Sequence, residues 1–273
     1  MPETIILTRQ GPIGRLRLNR PAKLNAQTPQ MWRELRELGR ELRDDRDLRC
    51  LVVGGEGRAF SSGIDLSEIT GRDGLAVAAG AGEDRLTALI RQGQEAFSWL
   101  VDAPFASIAA MRGYALGAGL QLALACDLRL ATDDAVLGLG ATRHGLIPDG
   151  AVLRLARVVG VGRAKELAIL NDEISPAEAR ATGLVNWVCP AAELDRTLER
   201  LVAKIRGASP TAAAHTKRLL HESFHRDPRA MIEEMLRSQS ACMASWELDE
   251  ANRAWRDKRE AVFYPPRRAE RTS

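Results

Sequence analysis

The sequence predicts an α/β fold with an all-helical C-terminal region, and two observations carry that reading. Up to about residue 190, short apolar runs with the two-residue period of strands alternate with longer segments whose apolar residues recur at helical spacing. Beyond Pro190 no strand pattern is visible, and helical segments separated by "GASPT" and "RDP" run to the end. The expected division is a core over residues 1–190 and a helical region over residues 191–273.

Each element follows from its residues. In "IGRLRLNR", Leu16 and Leu18 alternate with Arg15 and Arg17, and "TIILTRQ" supplies a hairpin partner across "GPIG". Thr28 and Pro29 form an N-cap and first helical position, after which Met31, Leu35, Leu38 and Leu42 mark one face of a helix. "CLVVGG" follows as a buried strand. The segment from Gly71 to Gly82 is rich in small residues and has neither period, so it is expected to be a mobile loop or a poorly ordered helix. Leu86 to Leu100 regains helical character, "PFASIAAM" is a buried strand, and "DLRLATDDAVLG" supplies two short strands around a turn.

Composition narrows the partners. The chain has 273 residues, 45% of them hydrophobic, with 39 basic and 36 acidic residues and a net charge of +3. That balance gives no basic field for nucleic acid or a membrane surface, while a small acidic ligand is compatible with it. The longest apolar run, Ala106 to Cys126, carries Arg112 and Gln121 and is heavy in Gly and Ala, which argues against a membrane span. The N-terminus shows no basic region followed by an apolar one, and Cys50, Cys126, Cys189 and Cys242 have no CxxC spacing. A cytoplasmic protein with reduced thiols is expected.

The stretch "GYALGAGLQLALACD", from Gly113 to Asp127, is the most unusual: small residues lead into an apolar run with one amide, Gln121. Small residues let a backbone approach something closely. Three further segments accompany it, "LNRPAKLNA" (Leu18 to Ala26), "GRAFSSGIDLSEI" (Gly57 to Ile69) and "GLIPDGAVLRLARVVGVGRAKELAI" (Gly145 to Ile169), followed by "ISPAEARATGLVNWV". In their order and spacing, across about residues 5 to 265, these segments resemble the crotonase superfamily, the enoyl-CoA hydratase/isomerase family.

The resemblance implies a crotonase-like spiral of β-β-α repeats and a helical C-terminal region used in trimerisation, giving a homotrimer or a dimer of trimers. It also implies an acyl-CoA thioester as ligand, with coenzyme A part of the substrate and no separate cofactor or metal. Carried over by position, the backbone N–H groups of Ile64 and Ala118 form an oxyanion hole, the pair of donors that thioester enolate chemistry requires. Gly117 and Gly119 are then hole-builders, since the helix starting there aims its positive end at developing negative charge. Ser62, Gly63, Asp65 and Leu66 fall on the substrate-binding segment, and Lys23 on a loop that meets the coenzyme A part.

The residues that the family's hydratases use for proton transfer are missing. Their two glutamates match Gln121 and Ala141 here. A neutral amide is no base and a methyl group does nothing, and losing each such group typically costs about 10²- to 10⁴-fold in rate. Asp149, in "GLIPDG", is the available acid and the candidate base for isomerisation of an enoyl-CoA; the competing role is a turn or a cap on the following helix. Two other readings stay open: an acyl-CoA-binding protein that kept the hole and lost its chemistry, and a lyase or hydrolase using Asp149 or His144.

Other patterns point to ordinary structure. "HESFH", His221 to His225, matches HExxH, but Leu219, Leu220 and Phe224 make it an amphipathic helix. "VVGVGRAKE" lacks GxGxxG and is expected only to turn the chain into a helix. Lys258 and Arg259 are candidates for extra coenzyme A contacts from a neighbouring subunit, against the plainer role of a solvated face. Trp246, Trp255 and Phe263 are expected to leave apolar surface on the helical region.

Overall fold

The computed structural model describes residues 3–67, 80 and 82–263. The segment from Gly71 to Gly82, expected as a loop or poorly ordered helix, lies outside them apart from Gly80 and Gly82.

The predicted hairpin forms from β1 (Ile5–Gln10) and β2 (Ile13–Leu18), antiparallel with Ile5 opposite Leu18 and Gln10 opposite Ile13. Next come α1 (Pro29–Leu42), β3 (Cys50–Gly55), α2 (Glu83–Asp102), β4 (Ala106–Met111), β5 (Tyr114–Leu116), α3 (Ala118–Ala125), β6 (Leu128–Thr132) and β7 (Val136–Gly138). After these follow α4 (Val152–Leu170), α5 (Pro176–Ala181) and β8 (Trp187–Cys189). Thr28 caps α1 as expected, its Oγ1 accepting from the Met31 N–H at 3.2 Å.

Among the described residues one sheet runs in the order β1-β2-β3-β4-β6-β8, parallel from β2 onward, and β5 pairs with β7 in a second, two-stranded sheet. The two short strands expected around one turn, β6 and β7, therefore belong to different sheets. β5 and β8, three residues each, are too short to show a period.

Both faces of the large sheet are buried, as a parallel sheet requires. Leu51 and Val53 of β3 and Ala109 and Met111 of β4 point into the main core with α1, α2 and α3. Their neighbours Cys50, Val52, Ile108 and Ala110 pack on the opposite face against Leu194, Leu198, Leu201 and Val202. Those four come from α6 (Leu194–Arg206), so a helix from beyond residue 190 completes the sheet's cover.

The remaining helices are α7 (Pro210–Glu222), α8 (Pro228–Met243) and α9 (Trp246–Arg256). Lys217 of α7 ties this region to the core. Its Nζ donates to the Leu100 and Phe105 carbonyls at 2.7 and 3.0 Å and to the Asp127 carboxylate at 2.9 Å. Trp255 is 82% exposed and Trp246 half-exposed, as expected, whereas Phe263 is buried with its ring against Trp246. No helix among the described residues is long and apolar enough to cross a membrane.

Candidate active site

Three segments remote in sequence meet at the N-terminus of α3. Ser61 bridges to Ala115, its N–H donating to the Tyr114 carbonyl at 2.8 Å and its own carbonyl accepting from the Leu116 N–H at 2.9 Å. On the other side Gln27 bridges to Ile64: the Gln27 N–H donates to the Gly63 carbonyl at 2.7 Å, and the Asp65 N–H to the Gln27 carbonyl at 2.9 Å. This parallel pairing uses the groups that flank Ile64 and turns its own N–H away from Gln27. Among the described residues that N–H has no acceptor. The Ala118 N–H, at the first position of α3, has no acceptor within its helix.

Glycine is needed to bring these amides together. Gly63 (φ +99°) and Gly117 (φ +50°) both occupy backbone conformations that L side chains rarely adopt. A Cβ on Gly63 would stand 3.0 Å from the Leu116 carbonyl oxygen and 3.6 Å from the Ala118 nitrogen. Gly119 does not line the cavity. A Cβ there would lie 2.5 Å from the Ser61 carbonyl oxygen, so its bare backbone lets α3 seat against Ser61.

Beside these amides lies a cavity of about 770 Å³. Ser62, Gly63, Ile64, Leu66, Gly117, Ala118, Gln121, Ala141 and Asp149 all line it, so most sites inferred from sequence converge. Trp32 of α1 and Leu86, Leu89, Ile90 and Phe97 of α2 supply an apolar wall. Lys23 and Asp65 are not part of the lining. Lys23 is exposed at the end of a 3-10 turn, Pro21–Lys23. The Asp65 carboxylate accepts from the Ser67 hydroxyl and from Arg20, which hold it below the usual carboxylate range.

Asp149 and Glu173 bring the carboxylates that line the cavity, beside Gln94, Gln121, Arg143, His144 and Asn171. Asp149 does not cap α4. The turn into that helix uses the Pro148 carbonyl, which accepts from the Ala151 and Val152 N–H groups at 2.8 and 3.1 Å, and the N-cap position is Ala151. The Asp149 carboxylate is at the cavity, where Oδ2 accepts from Gln94 Nε2 at 3.0 Å. Gln121 is only 6% exposed, and its Oε1 accepts from the Gly150 N–H at 2.9 Å. Ala141 presents a methyl group, and His144 also lines the cavity.

Sequence reading did not single out Asn25, Gln27 and Gln94. Asn25 and Gln27 are fully buried beneath the segment that carries Ile64. Asn25 Nδ2 donates to the Glu56 and Ala59 carbonyls, and Gln27 Oε1 accepts from the Trp32 indole at 2.9 Å. The two amides in "LNAQTP" were the available signal, since amides buried in a core must find partners.

The other patterns resolve as structure. Glu222 of "HESFH" is ion-paired with Arg218 and Arg226, and His225 Nε2 lies 2.7 Å from Arg157 Nη2. Gly160 (φ +76°) kinks α4. Arg259, considered for coenzyme A contacts, is bound by both oxygens of Glu250 at 2.6 and 3.1 Å. Burial pushes the Cys50 and Cys126 thiols up to about 12, which leaves no reactive thiolate at either.

Residues 8–265 match the family model described as enoyl-CoA hydratase/isomerase. The protein YngF of Bacillus subtilis (strain 168) is 34% identical over 90% of this chain and 92% of its own. Among solved structures, an enoyl-CoA hydratase from Bacillus anthracis superposes with a TM-score of 0.87, at 27% identity over 96% of this chain and 99% of that one. A Thermobifida fusca YX protein solved with acetoacetyl-CoA superposes with a TM-score of 0.80, at 38% identity over 88% of this chain and 95% of that one.

Proposed function

The chain belongs to the enoyl-CoA hydratase/isomerase family, and from that premise we propose that it isomerises enoyl-CoA thioesters with Asp149 as the base. The observation that carries this reading is the content of the cavity: two unpaired N–H groups and the Asp149 carboxylate share it, while Gln121 and Ala141 bring no carboxylate.

In this reading the thioester oxygen of a 3-enoyl-CoA accepts from the Ile64 and Ala118 N–H groups. Asp149 removes a proton from C2; the C2–H electron pair moves into C1–C2, the carbonyl pair moves onto the oxygen, and a dienolate forms that keeps the C3–C4 double bond. The same proton returns to C4, giving the conjugated 2-enoyl thioester. Donors fixed in place before charge develops are worth more than mobile ones, because they need no reorganisation. Trp32, Leu86, Leu89, Ile90 and Phe97 favour an apolar acyl chain. The acetoacetyl-CoA bound to the Thermobifida relative supports a thioester as ligand here. Coenzyme A enters as part of the substrate, and no separate cofactor is proposed.

Hydration requires two proton-transfer groups, and Gln121 and Ala141 stand where the family's hydratases have them. We therefore expect conversion of a 3-enoyl-CoA, with crotonyl-CoA hydration near background. Asp149→Asn should lower isomerisation by about 10²-fold or more while acyl-CoA binding, measured by calorimetry, persists. Full activity in Asp149→Asn would sink the assignment of the base. Binding without turnover across enoyl chain lengths would favour a non-catalytic acyl-CoA binder, the reading that the same two replacements support. Gln121→Glu combined with Ala141→Glu should gain measurable hydration.

A further inference from the structure

Two glutamines from different helices meet the loop of Asp149 from two sides. Gln94, on α2, donates Nε2 to Asp149 Oδ2 at 3.0 Å. Gln121, on α3, accepts through Oε1 from the N–H of Gly150, the next residue after Asp149, at 2.9 Å. We propose that Gln94 and Gln121 are positioning residues for Asp149, one fixing its carboxylate and the other the peptide that carries it. The inference rests on the reading of Asp149 as base.

The loop needs such support. The helix that follows does not hold Asp149, because its capping uses the Pro148 carbonyl and leaves the Asp149 side chain out. Without Gln94 the carboxylate is free to rotate about its own side-chain torsions. Gln94 occupies one oxygen, and Oδ1 has no partner among the described residues, so one oxygen remains to take a proton. A base held in one orientation spends more of its time within reach of the reacting carbon.

Gln121 acts on the backbone. Its Oε1 is committed to Gly150, and a Cβ on Gly150 would stand 2.6 Å from that oxygen, so the contact requires glycine at this position. α3 also starts with Ala118, one of the two hole donors. The hydrogen bond thus ties the Asp149 loop to the helix that positions the thioester oxygen, and the distance between base and hole is set within one rigid piece. The amide at the site of a missing glutamate has a task of its own. As a neutral group it also keeps Asp149 free of a second negative charge beside it.

The test is a double-mutant cycle on 3-enoyl-CoA isomerisation. Gln94→Met and Gln121→Met keep side-chain length and remove the donor or acceptor; each should lower kcat about 10-fold with KM within about twofold. In the Asp149→Asn background the same changes should lower the residual rate no further, because their effect passes through Asp149. Gln94 is exposed, so that arm reads out on a protein whose fold is not at stake. Unchanged kcat in Gln94→Met, or equal losses with and without Asp149, would overturn the inference while leaving Asp149 as base. Full activity in Asp149→Asn, or a wild type without turnover, would remove the base reading and the inference with it.

Discussion

Around Ile64 and Ala118 the chain is held by backbone hydrogen bonds and fully buried amides, whereas α7 to α9 are held by ion pairs between side chains. In the first region Ser61 pairs through its backbone with Tyr114 and Leu116, and Gln27 with Gly63 and Asp65. In the second, Glu234 pairs with Arg218 and Arg237, and Glu250 with Arg253 and Arg259. Where backbone segments meet at glycines, a single added carbon displaces them. Where arginine–glutamate pairs hold helices, a single lost contact changes less, because the arginine end of each pair is open to water and its charge is screened.

Of Gly63, Gly117 and Gly119, the last leaves an added carbon the least room. Gly119→Ala places a Cβ 2.5 Å from the Ser61 carbonyl oxygen, so the start of α3 must retreat and the two donors no longer converge. We expect a loss of about 10²- to 10³-fold in kcat, with the fold kept. Turnover near wild type would show that the close approach is dispensable.

Lys217 differs from these arginines, since its contacts are mainly to core carbonyls. Lys217→Met takes this donor from the Leu100 and Phe105 carbonyls and removes the cation beside Asp127, whose carboxylate keeps the Ser107 N–H and hydroxyl. It should cost about 2–3 kcal/mol in denaturant unfolding with kcat retained. A change in kcat with stability intact would mean that the helical region reaches the site.

Assembly tests what the helical region leaves uncovered. Trp255, Leu236 and Met243 are exposed, and apolar surface of this kind marks association. Light scattering should give a trimer or hexamer; a monodisperse monomer at micromolar concentration would remove that role.

The smallest effect is electrostatic. Arg259 beside Glu250, with a further bond from the Val262 N–H, holds the Glu250 carboxyl down to about 2. A folded value below the unfolded one contributes stability above the ordinary glutamate range, and loses it as pH falls toward 2. The stability difference between wild type and Arg259→Gln should therefore be present at neutral pH and shrink through that window. A difference independent of pH would assign the contact to packing.

What was legible in the sequence follows the same divide. Periodicity located α1, the hairpin and the buried strands because their apolar residues repeat over several turns or pleats. The glycines at 63 and 117 were legible as a motif because a backbone constraint leaves few residue choices. Asp149 was visible as an acid, but its freedom from the helix cap was not, since that depends on which carbonyl closes the turn. Its link to Gln94 joins residues whose spacing carries no pattern. β5 and β8 were not read from the sequence, whereas β7, equally short, was marked by the turn before it, and "HESFH" offered a motif whose Glu222 is occupied by arginines.

The junction of residues 27, 61–64 and 115–118 also has a consequence for the order in which the molecule assembles. No local segment contains both donor amides, and each bridge closes a long loop whose entropy must be lost before the contact forms. The pair of N–H groups therefore exists only after strands from both halves of the core have docked. Under the function proposed above, a thioester would bind only a chain in which both halves of the core have docked.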